Sequence, residues 1–363
     1  MTNTLPDGNS PLIDCRSVWK VFGQRSEAAI KAITERGLGK SEVLKEFSCV
    51  VGVADVSLTL NKGEIFCIMG LSGSGKSTLI RLFNRLIEPS LGQIFVCGKD
   101  VAKLNAQDLR ATRARDIGMV FQNVALLPNR TVLENAAFGL EVQKVEKERR
   151  LETAKKALTT VGLADWVNRF PNELSGGMQQ RVGLARAIAS DPDIILMDEP
   201  FSALDPLIRR QLQDEFRELS KTLGKSAIFI THDLDEAIRI GDRIAIMKDG
   251  AIIQVGTAED IILNPADGYV ADFVAGISRL HLVKAHSVMH PVAAFTAARP
   301  DLDVSRFSRT SPEADVDELI HIFLDGGQDG VAVLDDGAVV GVVTPRSLLQ
   351  GVKGKEPGEA TAF

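Results

Sequence analysis

No apolar run in the 363 residues approaches the ~18–20 needed to cross a bilayer, so the chain is not expected to span a membrane by itself. Basic excess is missing too: 42 Lys plus Arg stand against 48 Asp plus Glu, a formal charge of −6, and no basic stripe is found. Nucleic-acid binders usually show one or the other, so nucleic acid is not an expected partner. Cysteine is sparse. Cys15, Cys49, Cys67 and Cys97 lie far apart with no C-x-x-C pair and read as small core hydrophobes in a reducing compartment. Met1 to Ser10 hold neither a basic nor an apolar stretch, which argues against a secretory leader; a cytosolic chain is expected. Metal-ligand clusters are thin: His286-x-x-x-His290, with His281 nearby, could set two ligands on one helix face. Nothing acidic or thiol-bearing completes the set, and Pro291 follows directly.

What is present is a globular composition, 45% hydrophobic and 25% charged, of a length that suits two or three domains. Leu12 to Phe22 reads as a strand ending at Gly23. Residues 24–52 then leave strand periodicity, and their apolar positions suit two short amphipathic helices around Gly37-Leu38-Gly39. Val56–Leu60 alternates as a half-buried strand, and Glu64–Met69 reads as a fully buried parallel one. From Lys76 onward Leu79, Ile80, Leu82, Phe83 and Leu86 recur at helical spacing. Further buried strands are expected at Ile117–Phe121, Ile194–Met197, Ala227–Thr231 and Arg243–Met247, with helices such as Lys144–Val161 and Leu207–Leu223 between them. Strands alternating with helices imply an α/β fold whose parallel sheet is covered on both faces. The first domain is expected to span 1–278. In 279–363, residues 281–312 look irregular; then come a helix at Glu313–Leu324, a hairpin turned at Asp335-Asp336-Gly337 and a helix after Pro345.

Gly70-Leu71-Ser72-Gly73-Ser74-Gly75-Lys76-Ser77 fits G-x-x-x-x-G-K-[ST], between a predicted strand and a predicted helix. Glycines let the backbone curl until several N–H groups face phosphate oxygens, at a helix N-terminus whose partial positive charge favours the anion. Lys76 would reach the β/γ-phosphates, and the Ser77 hydroxyl would ligate Mg²⁺. Ile194–Met197 leads into Asp198 and Glu199, placing carboxylates at the end of a buried strand. Asp198 suits the Mg²⁺ shell, through water, and Glu199 a general base for the attacking water. Ser175-Gly176-Gly177, opening the run Val182–Ala189, reads either as a second anion site or as an ordinary N-cap. One nucleotide needs no second anion site from the same chain, so the first reading implies a second chain.

Leu174–Gln179 resembles the signature of ATP-binding cassette (ABC) ATPases. Phe121-Gln122 is similar to that family's Q-loop, Ser202-Ala203-Leu204-Asp205 to its D-loop and Thr231-His232-Asp233 to its switch-histidine loop, all in the family's order over roughly 10–275. The resemblance implies the P-loop NTPase fold of an ABC cassette and a head-to-tail homodimer around two ATP molecules. ATP contacts are implied for Gly70, Ser72, Gly73, Ser74, Gly75, Lys76, Ser77 and Thr78 of one chain. Ser175, Gly176, Gly177 and Asp205 are implied to come from the other. Glu199 would polarise water, His232 would contact the γ-phosphate, and Gln122 would sense Mg²⁺ and water beside a segment, Asn123–Asn135, where a membrane permease docks. Phe22 matches the aromatic that stacks on adenine, with Trp19 as the alternative.

With no spanning segment of its own, an ABC ATPase of this kind implies separate membrane proteins and a place on the cytoplasmic face of the inner membrane. Two other classes compete. A soluble ABC ATPase acting on DNA or ribosomes is disfavoured by the single cassette, the acidic balance and the lack of a coiled-coil insertion between Lys76 and Asp198. A regulatory nucleotide sensor leaves Glu199 and His232 without a purpose. The 24–52 insertion, Arg85-Leu86-Ile87-Glu88-Pro89 and the run from Asp233 to Met247 resemble the glycine betaine/proline (quaternary amine) importers, which implies a substrate-binding protein as indirect partner. Residues 313 onward are similar to one cystathionine-β-synthase (CBS) repeat. Relatives carry two, but in Thr344-Pro345-Arg346-Ser347 a serine stands where that repeat's ligand-binding acid is expected.

Overall fold

The computed structural model describes residues 10–277, 280, 282–326 and 329–353. The polar start at 1–9, His281 and the tail beyond 353 lie outside the described residues. The chain divides into two compact units between Val255 and Gly256. That division precedes the boundary expected at 278/279, because helix Ala258–Leu263 belongs to the C-terminal unit. Leu263 packs on the C-terminal core, and the Lys284 N–H donates to Glu259 Oε1 at 2.9 Å.

The first unit holds two sheets. A four-stranded antiparallel one runs in the order 50–60, 13–22, 91–96, 99–100. A six-stranded one runs 251–256, 243–248, 65–69, 226–231, 194–198, 117–120, its last five strands mutually parallel. Strand Ile65–Met69 is buried at every position, which is why it reads as an unbroken apolar run. Helix Lys76–Phe83 covers it, burying Leu79, Ile80, Leu82 and Phe83 in a core that includes Phe66, Ile68, Leu196 and Ile228. Met69 pairs with Thr231 and Asp198 with Ile230, so strands 65–69, 226–231 and 194–198 end side by side. Open parallel sheets bind ligands at such carboxyl ends.

The insertion folds as helices Ser26–Arg36 and Lys40–Phe47, joined where Gly37 takes a left-handed φ of 65°. Ala29, Ala32, Ile33, Val43 and Phe47 close a small core with Val21, Cys49 and Val51. The next strand starts at Val50, not Val56. Asp55, at φ 48°, and register shifts against strand 13–22 break the two-residue alternation that would have marked its first half.

In the second unit the sheet order is 290–291, 338–343, 331–335, 308–310. Helices Val316–Leu324 and Pro345–Lys353 flank a core of Val283, Val316, Leu319, Val331, Val333, Val343 and Leu348. Asp336 and Gly337 turn the hairpin with positive φ at both positions. The stretch 281–312 is less irregular than its prolines suggest: it includes helix Val292–Ala298 and strand Ser308–Thr310. His286 and His290 do not share a helix face, since one is in helix Ala285–Val288 and the other begins a strand. His286 Nε2 instead meets Glu259 Oε2 at 3.2 Å, and Nδ1 lies 2.9 Å from the Pro312 carbonyl. All four cysteines are free, three of them buried.

Candidate active site

The loop after strand 65–69 is shaped by close backbone approaches. Gly70 has φ 153° and Gly75 φ 103°; a Cβ at Gly70 would stand 2.2 Å from the Met247 carbonyl oxygen, and one at Gly75 2.3 Å from that of Gly52. Only glycine fits either place. The loop is braced from behind by the Asp249–Gly250 turn. The Gly250 N–H donates to the Ser74 carbonyl, and the Gly250 carbonyl accepts from Ala54, both at 2.9 Å. Lys40, from the insertion, pairs with Asp249 at 3.2 Å. The sequence reading missed this support, although Asp-Gly between two strands is a turn signal.

Lys76 is 4% exposed, and its Nζ donates to the carbonyls of Gly70 (2.7 Å) and Leu71 (3.1 Å). Burial lowers its pKa from the ordinary lysine value, against the opposing pull of Glu199 and Asp198. Glu199 Oε1 lies 3.9 Å from the ammonium. The Ser77 hydroxyl donates to Asp198 Oδ1 at 2.8 Å, and Arg81 holds the other carboxylate oxygen at 3.2 Å. Two hard oxygen groups side by side fit a Mg²⁺ shell with Ser77 and Asp198 as its protein side. The Ser74 hydroxyl is buried with no hydrogen-bond partner among the described residues, the mark of a cradle built for an added acceptor. Thr78 extends its methyl towards Gly52, and Ser72 and Gly73 form the exposed lip.

Glu199 sits just past its strand with φ 46°, an uncommon conformation for a side-chain-bearing residue. Its N–H donates to Ile230 O at 3.1 Å and its carbonyl accepts from Ser202 Oγ at 3.0 Å. Oε2 faces His232 Nδ1 at 3.2 Å. Gln122 is linked to the same place, its Nε2 donating to Ser202 Oγ at 3.4 Å. Side-chain contacts and adjacent strand ends thus connect the phosphate loop, Asp198, Glu199, His232 and Gln122. Asn135 is different: it is fully buried, and its amide pairs with Leu127, Arg130 and Thr131, so it shapes the 123–131 segment from within.

Ser175 caps helix Gly176–Ile188, accepting from the Met178 N–H at 3.3 Å, and is exposed with Gly176, while Gly177 is buried. Asp205 caps helix Pro206–Leu223, accepts from Leu207 at 2.9 Å and is also exposed. Both therefore face outward. Phe22 is 38% exposed, and its ring edge would lie 2.7 Å from a Cβ at Gly52, which places it next to the phosphate loop; Trp19 packs on the insertion's core instead.

The ABC transporter family model matches residues 53–202. The chain is 52% identical over 265 residues to the glycine betaine/proline betaine transport system ATP-binding protein of Escherichia coli, a match covering 73% of this chain and 66% of that relative. It thus spans just under two thirds of that relative's length. It is 44% identical to the trimethylamine N-oxide transport system ATP-binding protein of Ruegeria pomeroyi, covering 94% of this chain and 96% of the relative. Among solved structures it is similar to a dimeric ATP-binding cassette in a post-hydrolysis state bound to ADP and Pi. There the TM-score is 0.57 and the identity 31%, covering 68% of this chain and 98% of the other.

Proposed function

The chain belongs to the ABC transporter family of ATP-binding cassettes, and on that premise we propose that its ATP hydrolysis energises a membrane importer of small quaternary amines such as glycine betaine. One observation carries the hydrolytic part: Lys76, Ser77, Asp198, Glu199 and His232 gather at the ends of three adjacent strands. In this reading the phosphate loop and Lys76 bind the nucleotide phosphates, and Ser77, Asp198 and Gln122 hold Mg²⁺. Mg²⁺ supplies charge neutralisation on the transferring phosphoryl group. Glu199 takes the proton of the attacking water, oriented with His232, and Phe22 stacks on the base. The outward-facing Ser175, Gly176 and Asp205 complete the site of a second copy. The outer side of 123–131 meets a permease at the cytoplasmic face of the membrane. Among the described residues no helix is long and apolar enough to cross it.

The cargo rests on the relatives, whose names give glycine betaine, proline betaine, carnitine, choline and trimethylamine N-oxide. Coverage favours a second reading. The trimethylamine N-oxide proteins match nearly end to end, and so include the small C-terminal unit. That unit we read as CBS-like and contributing to dimer contact. Its Ser347 hydroxyl is buried at the start of its own helix, accepting from the Thr344 N–H at 3.0 Å and donating to the Thr344 carbonyl at 3.1 Å, so this position offers a ribose no carboxylate. The test is uptake of labelled glycine betaine, choline, proline and trimethylamine N-oxide in cells lacking the chain, complemented with wild type or Glu199→Gln. Uptake restored by wild type alone supports the reading and identifies the cargo; no restored uptake of any solute overturns it.

A further inference from the structure

Two helices lead away from the site, each C-terminal to one of its loops, and are joined side by side. Leu234–Ile240 follows His232, and Pro206–Leu223 follows Asp205. Three polar rungs join them. Arg209 Nη1 stands 3.7 Å from Asp233 Oδ2. One turn on, Gln213 Nε2 donates to Glu236 Oε1 at 2.9 Å, with both side chains buried. A further turn on, Arg217 Nη1 donates to the Arg239 carbonyl at 2.9 Å. Residues four apart share a helix face, so 209, 213 and 217 form one stripe, and 233, 236 and 239 answer at three-residue spacing.

The first rung also grips the loop ahead of its helix. Arg209 Nη2 donates to the carbonyls of Ser202 (3.1 Å) and Leu204 (3.2 Å). Ser202 in turn touches the Glu199 carbonyl, and Glu199 touches His232, whose chain neighbour is Asp233. The contacts close a ring: Glu199, His232, Asp233, Arg209, Ser202 and back to Glu199. The His232 side chain is more than half exposed, so its orientation depends on how its loop is anchored. The Nε atoms of Arg209 and Arg217 are buried with no hydrogen-bond partner among the described residues. Burying an unpaired N–H is unfavourable, so these arginines are held where they are by their guanidinium ends.

We propose that Arg209 and Gln213 are positioning residues for the imidazole: Arg209 ties the 202–205 loop to Asp233, and Gln213 anchors the helix that follows His232, so that together they set His232 against Glu199. The inference rests on the reading of Glu199 and His232 as the hydrolytic pair. The ladder carries the coupling through discrete side-chain contacts between two rigid helices.

The experiment measures steady-state ATPase activity, equilibrium binding of a fluorescent ATP analogue and melting temperature on the full chain. The variants are Arg209→Gln, Gln213→Glu, the exchange Gln213→Glu/Glu236→Gln, Arg217→Gln and His232→Ala. Arg209→Gln and Gln213→Glu are expected to lower kcat by about ten-fold, the scale of a small misplacement of a reacting group, with nucleotide affinity kept. The exchange restores an amide–carboxyl bond and most of kcat. Arg217→Gln, the rung farthest from the loops, lowers the melting temperature but not kcat. Unchanged kcat in Arg209→Gln and Gln213→Glu, or losses that simply track melting temperature through all three rungs, would overturn the proposal. Retained turnover in His232→Ala would instead remove the reading on which it rests.

Discussion

The Nδ1 atom of His232 lies 3.2 Å from Oε2 of Glu199, between the ends of two neighbouring strands. The pair meets because strands 194–198 and 226–231 are parallel and in register, so each delivers its next residue to the same edge. Glu199 is held there in a left-handed backbone conformation by the Ile230 carbonyl on one side and the Ser202 hydroxyl on the other. An oriented carboxylate beside an imidazole is suited to deprotonating water.

Glu199→Gln therefore keeps the shape of the site and removes the group proposed as proton acceptor. ATP binding should persist while hydrolysis falls ~10²–10⁴-fold, the usual range for a general base. Single-turnover measurement separates the two; near-normal turnover would take Glu199 out of that role.

Removal of Mg²⁺ acts at another point. The Ser77–Asp198 contact is hydroxyl to carboxylate at 2.8 Å, and Arg81 remains on the far oxygen. EDTA should abolish hydrolysis and leave melting temperature in the absence of nucleotide unchanged, because these side chains already satisfy one another. A large drop in that melting temperature would mean the ion is part of the fold.

The outward-facing Ser175 makes a mixing test possible. Lys76→Ala and Ser175→Arg chains should each be inactive alone. In a heterodimer with two-fold related sites, one site collects both lesions and the other none. An equal mixture should therefore recover about a quarter of wild-type activity if the two sites act independently. No recovery would argue against sites shared between chains.

Glu236 supplies a pH dependence. Burial raises its carboxyl pKa above the ordinary value, while hydrogen bonds with Thr231 and Gln213 pull it back. A carboxyl raised in the folded state contributes stability that is present below its unfolded pKa and lost as pH rises through the folded one. Glu236→Gln should thus gain stability relative to wild type as pH rises from acid to neutral. Chemical denaturation at several pH values checks the slope; a difference that does not vary with pH would place no raised carboxyl there.

Much of this site could be read from the chain because its requirements are local. The phosphate loop needs glycines, lysine and a hydroxyl at fixed spacing, and the buried strand needs an unbroken apolar run before Asp198. Tertiary supports were not legible in the same way. The Asp249–Gly250 turn braces Ser74 from far along the chain, and Arg209 looks like one of several surface arginines until its helix is set against 234–240. The first half of strand 50–60 was hidden by its bulge, and the helix and short strands within 281–312 by their prolines. Asn135, the end of the segment where the resemblance implies docking, is instead the buried centre of its loop.

The grip of Lys76 on the carbonyls of Gly70 and Leu71 bears on how fast nucleotide is captured. The curl of the loop is already paid for by internal bonds and glycine geometry, so an arriving phosphate exchanges partners with an ammonium instead of ordering a disordered strip of chain. Little conformational entropy remains to be lost at that step. Association should then run at rates set by diffusion and orientation, with the small heat-capacity change of a preformed pocket rather than the large one of coupled folding.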